Sequence, residues 1–236
     1  MEAKDLAAAA AVAAGGICVE PRIKVISMGS SGVGKSCIIK RYCEGRFVTK
    51  YIPTIGIDYG VKRVVVRAPP HMLPATPKLA VRVNFWDMAG GEEYLEIRNE
   101  FYNAAEGALL VYDVTDAASF AALDKWVKEM ETNASVRRGS GNEAVTASVA
   151  RAAPKAMVVV VCANKADDEV YAGASTSNNN NSSSGVGGKK RVVSDAEGRR
   201  WAEGRGYKYF ETSACKGTCV AEALESLFSD VVARFM

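Results

Sequence analysis

The sequence predicts an α/β fold: one doubly wound, mostly parallel sheet of six strands with about five helices. Short apolar runs closed by turn residues recur along the chain, and helical patterns fall between them. The length, 236 residues, suits one domain of ~150 residues carrying insertions. Hydrophobic content of 48% against 24% charged is ordinary for a globular protein. The 30 Lys and Arg against 27 Asp and Glu leave a net charge of +3, which gives no general reason to expect a nucleic-acid or membrane-surface binder.

Residues 1–20 are rich in Ala and Gly without periodicity and are expected to form a disordered tail. The Ala7 to Ala14 run, broken only by Val12, is far shorter than the ~20 residues of a membrane span. Glu2 and Asp5 do not suit a secretory leader. A cytoplasmic protein is expected, any membrane or nuclear access falling to partners. Its six cysteines (18, 37, 43, 162, 215 and 219) form no CxxC pair and are expected to be reduced.

From residue 21 to 236 the pattern is that of one domain. Ile23, Val25, Ile26 and Met28 form a buried-strand run closed by Gly29. Similar runs are Val81 to Trp86, Ala108 to Tyr112, Met157 to Cys162 and Tyr207 to Phe210. Helical spacing joins Leu123, Trp126, Val127 and Met130, and again Ala223, Leu224, Leu227, Phe228 and Val231. Three stretches break the alternation and read as surface insertions: Ala68 to Lys78, with four of the seven prolines, Thr132 to Lys155, and Ala172 to Gly188 with the following lysines.

Gly29 to Ser36 reads G-S-S-G-V-G-K-S, the pattern G-x-x-x-x-G-K-[ST], between a strand and a helix continuing through Ile38, Ile39 and Tyr42. A polyphosphate is held by backbone N–H groups converging on one concavity, so Cβ atoms must be missing where the chain bends sharply. Lys35 supplies a compact cation for the β and γ oxygens, Ser36 a hydroxyl for Mg²⁺, and the helix its positive end. The motif specifies phosphate binding but not the base.

Asn164-Lys165-Ala166-Asp167 follows the Met157 to Cys162 run. A carboxylate at Asp167 accepts from both N1–H and N2–H₂ of guanine, whereas adenine offers no such pair of donors. Asp87-Met88-Ala89-Gly90 places a carboxylate for Mg²⁺ and a glycine N–H for a third phosphate. Glu211-Thr212-Ser213-Ala214 closes the last strand and can donate to the guanine oxygen. Each piece alone is weak. Their order at successive strand ends, where doubly wound sheets bind ligands, gives them weight.

From about Arg22 onward the chain resembles the small GTPases of the Ras superfamily, with Rab-like texture and the P-loop NTPase G-domain fold that the resemblance implies. Phe47 to Gly56 is similar to that family's first switch. The likeness implies that Phe47 packs against guanine and that Thr54 ligates Mg²⁺ and reports the γ-phosphate. Within the superfamily the chain resembles the RJL group, often fused to a J domain, in Ser36 to Cys43, Thr54 to Val61, Asp87 to Gly90 and Arg98 to Tyr102. The chain stops about where the last helix of such a domain ends, so no J domain is expected. Nor are a prenyl or myristoyl anchor expected, given the ending Val-Val-Ala-Arg-Phe-Met and Glu2.

Residues and resemblance together give the expected nucleotide contacts: Ser31, Gly32, Val33, Gly34, Lys35, Ser36, Cys37, Phe47, Tyr51, Thr54, Gly90, Asn164, Lys165, Asp167, Ser213, Ala214 and Cys215. Ser36, Thr54 and Asp87 are the expected Mg²⁺ ligands, and Lys35, Gly90 and Gly91 the expected hydrolytic centre. Two departures matter. The family places glutamine, which orients the attacking water, at Gly91; Glu92 and Glu93 are the carboxylates near enough to replace it, under strict geometric demands. Cys215 stands where relatives carry a lysine whose stem covers the base.

The expectation is a monomeric GTP/GDP switch with very slow unaided hydrolysis, signalling to protein effectors and regulators through its switch segments and binding no nucleic acid. A nucleotide-locked scaffold and a P-loop ATPase or kinase are the alternatives. His71 is expected to be a solvated loop residue, Trp126 and Trp201 packing residues, Trp86 sheet filling, and Cys37 and Cys43 small buried groups. Lys189-Lys190-Arg191 reads as a solvated approach to the next element.

Overall fold

The computed structural model describes residues 20–49, 52–68, 78–136, 156–167 and 190–236. Six strands form one sheet in the order β2-β3-β1-β4-β5-β6. They are β1 (Arg22–Met28), β2 (Ile57–Arg67), β3 (Lys78–Met88), β4 (Gly107–Asp113), β5 (Val158–Asn164) and β6 (Lys208–Glu211). Only β2 runs antiparallel, pairing with β3 from Ile57 opposite Met88 to Arg67 opposite Lys78. The remaining pairs are parallel and need crossovers.

The crossovers are helical. α1 (Lys35–Glu44) follows β1, and a 3₁₀ turn at Glu92–Tyr94 leads into α2 (Leu95–Asn99). α3 (Ala117–Ala121) passes through Ala122 into α4 (Leu123–Val136), and α5 (Asp195–Glu203) and α6 (Val220–Phe235) complete the set. With α3 and α4 taken as one interrupted unit, the described residues form five helical units around the sheet, the fold class the sequence predicts. Asp116 caps α3 by accepting from Ala118 N–H at 3.0 Å, and Ser194 caps α5 by accepting from Glu197 N–H at 3.2 Å.

Apolar residues on both faces of each central strand explain the continuous hydrophobic runs. Val158, Val160 and Cys162 of β5 face a core shared with α1 and α6, while Val159, Val161 and Ala163 face the α4 side. Phe228 of α6 meets Tyr42 of α1 and Phe85 of β3 at ring separations of 5.7 and 5.9 Å, locking two helices to the sheet. Burial pushes the Cys162 thiol up to about 12.

Three sequence boundaries move. α4 continues through Val136, so residues 132–136 of the stretch assigned as an insertion are helical; the amphipathic face is strong enough to carry the helix past Thr132. Glu20, placed in the tail, is held by Arg63 at 2.5 Å and Arg82 at 3.1 Å. Arg191, read as solvated, is mostly buried and ion-paired to Glu211. Residues 1–19, 69–77, 137–155 and 168–189, with His71 and the Asn/Ser stretch, lie outside the described residues, as does Tyr51.

Candidate functional site

Because β1, β3, β4, β5 and β6 are parallel, their exits share one end of the sheet, and the candidate residues other than Phe47, Tyr51 and Thr54 follow those exits. After β1 the chain turns through Gly34 at φ +101°, then enters α1, whose first turn carries no side-chain cap and no acidic residue. A Cβ at Gly34 would collide with the Asn164 amide as well as strain the backbone. Lys35 lies across this loop, its Nζ donating to the carbonyls of Gly29 at 2.6 Å and Ser30 at 3.0 Å. Burial pulls its ammonium down to about 8, against an opposing pull from Asp87.

Three oxygen-bearing side chains meet beside Lys35. Ser36 Oγ lies 2.9 Å from Thr54 Oγ1 and donates to Asp87 Oδ2, which Thr54 Oγ1 also approaches at 3.5 Å. Asp87 is fixed from behind by Ser27, whose Oγ donates to Oδ1 at 2.7 Å. Pairing of Ser27 on β1 with Asp87 on β3 puts the two side by side. Two hydroxyls and a carboxylate aimed at one point are hard donors suited to Mg²⁺.

The other end of the cavity is built from β5 and β6. Asn164 is buried: its Nδ2 donates to Val33 O at 2.8 Å, and its Oδ1 accepts from Ala214 N–H at 3.2 Å and Thr212 Oγ1 at 3.3 Å. Asn164 thus ties the loop after β1 to the loop after β6. We expect Asn164→Ala to lower stability by about 2 kcal/mol, because a buried amide with several partners leaves them unsatisfied; chemical denaturation of the nucleotide-free protein measures it. Lys165, at φ +64°, pairs with Asp113 Oδ2 at 2.7 Å.

These parts enclose a cavity of about 450 Å³. Its walls include Ser31, Gly32, Gly34, Lys35, Ser36, Cys37, Phe47, Thr54, Gly90, Gly91, Asn164, Lys165, Asp167, Ala214 and Cys215. Three candidates sit behind the wall. Val33 is buried with its carbonyl taken by Asn164, Asp87 lies beneath Ser36, and Ser213 Oγ turns back to accept from Lys216 N–H at 2.9 Å. Cys37 and Cys43 are half-buried, and burial raises both thiols.

Two contributors escaped the sequence reading. Arg41 of α1 donates from Nε to Ala214 O at 2.8 Å and from Nη2 to Cys215 O, holding the loop that faces Asp167. No local pattern signals a contact 173 residues away. Trp86 does more than fill the sheet. Its ring lies tilted between those of Tyr59 and Phe101, with centroids 4.7 and 4.8 Å away, on a side of the β2–β3 pair where Tyr59 is 51% exposed. Ile52 and Ile55 before β2, and Leu95 and Ile97 of α2, are also exposed, on the segments that carry Thr54 and follow Gly90.

The family model described as "Ras family" matches residues 24–233. Among curated proteins, the chain is 44% identical over 210 residues to DnaJ homolog subfamily C member 27 of Danio rerio, covering 89% of this chain and 61% of the relative. It is 42% identical over 211 residues to the Homo sapiens protein of that name, covering 89% and 62%. Against DnaJ homolog subfamily C member 27-B of Xenopus laevis the identity is 41% over the same span. The chain therefore spans about three fifths of the length of the curated relatives it matches. A family match running through every strand exit that lines the cavity, joined to this degree of identity, makes the chain a member of the Ras family.

Proposed function

We propose that the chain is a guanine-nucleotide switch that binds GTP and GDP with Mg²⁺ and presents two nucleotide-sensitive segments to protein partners. One observation carries this reading: a single cavity joins the Lys35 loop, the Ser36–Thr54–Asp87 oxygen cluster and the Asp167–Ala214 end. The backbone N–H groups from Gly32 to Ser36 and the Lys35 ammonium bind the phosphates. Asp167 accepts from the guanine edge, while the N–H groups beside Ala214 meet its carbonyl oxygen. Ser36, Thr54 and Asp87 hold Mg²⁺, which when bound offsets the charge of the β and γ oxygens.

Thr54 and Gly90 serve as the sensors. Thr54 reaches the oxygen cluster from an exposed segment, and Gly90 lies against the phosphate loop. A Cβ there would fall 2.5 Å from Ser30 C and 2.7 Å from Gly29 O, so only glycine lets its N–H come this close. Loss of the third phosphate removes the partner of both segments and frees them. The exposed apolar side chains Ile52, Ile55, Leu95 and Ile97 sit on those same segments, which suits a partner surface that changes with the nucleotide.

Hydrolysis is the weak part of the cycle, because Gly91 has no side chain to orient water. The GTP form is therefore long-lived without a partner. Purified protein, denatured and analysed by chromatography, should release GDP or GTP. Release of ATP or ADP would favour an adenine-nucleotide enzyme, and release of nothing a scaffold on the same fold.

A further inference from the structure

Arg98 of α2 is the largest fully buried side chain among the described residues, 2% exposed. Its Nε and Nη2 grip the Glu129 carboxylate of α4 at 2.8 and 3.0 Å, and its guanidinium lies 4.6 Å from the Trp126 ring. Tyr102 donates to the same carboxylate at 2.8 Å. The remaining nitrogen, Nη1, donates to Ala89 O at 3.1 Å and to Gly91 O. One cation thus fastens the carbonyls of the residues on both sides of Gly90 to α4.

For stability alone this arrangement is a poor choice, since a buried ion pair often contributes no more than apolar residues of similar volume. What the fork adds is direction. The Ala89 carbonyl and the Gly90 N–H belong to one planar trans peptide and point opposite ways. Holding the carbonyl on the Arg98 side turns the N–H away from Arg98, and Gly90 itself lines the cavity and packs against the backbone of Ser30 and Ser31.

We infer that Arg98, fixed by Glu129 and Tyr102, is a positioning residue that aims the Gly90 N–H at a third phosphate and so sets the preference for a triphosphate over a diphosphate. The inference rests on the switch reading above. A diphosphate places nothing opposite Gly90, so only triphosphate affinity depends on the population of the aimed loop, and it falls in proportion to that population.

The test titrates fluorescent GDP and a non-hydrolysable fluorescent GTP analogue, with Mg²⁺, into the wild-type protein, the double variant Arg98→Met/Glu129→Leu, Arg98→Lys and Tyr102→Phe. The double variant removes both charges together, which avoids stranding one. It should bind the GTP analogue about tenfold more weakly, the loss expected for charge-assisted bonds, with GDP affinity within about twofold of wild type. Arg98→Lys keeps the charge without the fork and should show the same selective loss, with Tyr102→Phe a smaller one. Should the double variant fail to fold, these two decide. Loss of both nucleotides by one factor, or unchanged affinity for both, overturns the positioning role alone. A wild-type protein that binds neither nucleotide overturns the switch reading and this inference with it.

Discussion

Asp167→Asn should weaken guanine-nucleotide binding by about a thousandfold or more while admitting xanthine nucleotides, the scale on which sites built for specific polar partners reject a mismatched one. Guanine offers N1–H and N2–H₂ to a carboxylate, which accepts both; an amide turns one acceptor into a donor and leaves it facing N2–H₂. Xanthine carries an oxygen at that position and restores the match. The wall around Asp167 makes the comparison clean. Its backbone is held independently of its carboxylate: Ala166 N–H donates to Thr212 O at 3.1 Å and Lys216 Nζ approaches Asp167 O at 3.4 Å. The substitution therefore changes chemistry at the base with little reason to move the loop. Displacement of a fluorescent nucleotide by GDP and by xanthosine diphosphate measures both halves. A variant that retains guanine preference would remove Asp167 from the site and with it the main argument against an adenine-nucleotide enzyme.

The parts of this site written as local spacing were legible in the sequence. On the proposed reading Gly29 to Ser36 is glycine-rich because its backbone holds the phosphates, and that requirement appears as residue identity at fixed positions. Asp87 and Asn164 could be placed because each follows a strand-like apolar run, and parallel topology turns strand ends into neighbours. Arg41 and the Arg98–Glu129 pair were not legible. Their partners lie on other elements, and an arginine on a short helix looks the same in sequence whether it faces water or two buried carbonyls. β2 was faint for a related reason. As an edge strand it alternates exposed and buried residues only from Arg63 onward, and Asp58, Gly60, Lys62 and Arg63 dilute its apolar signal. The limit of α4 was misread because helix and loop share the same small polar residues after Thr132.

Gly91→Gln should accelerate single-turnover GTP hydrolysis by about a hundredfold, the lower end of what a positioned proton-transfer group contributes. Even a glutamine-bearing GTPase turns over unaided at only ~10⁻⁴ s⁻¹, a barrier of roughly 23 kcal/mol, and a chain lacking that side chain starts higher. The geometry allows the exchange. Gly91 has φ −72° and ψ 149°, extended backbone open to any residue, and the nearest atoms a Cβ there would meet belong to the Glu93 carboxylate, the end of a flexible side chain. Arg98 still holds the Gly91 carbonyl, so the new side chain is anchored at its base. The same contact identifies the competing explanation. Glu93 lines the cavity, whereas Glu92 is exposed and paired with Lys125; a carboxylate standing in for glutamine can therefore only be Glu93. If Glu93 orients water, Glu93→Ala slows hydrolysis further and Gly91→Gln, by pushing that carboxylate aside, gains little. If water is left unoriented, Glu93→Ala changes nothing and Gly91→Gln gives the full gain. We expect the second pattern, because a carboxylate on a side chain free to yield to a Cβ is not held tightly enough to order a nucleophile.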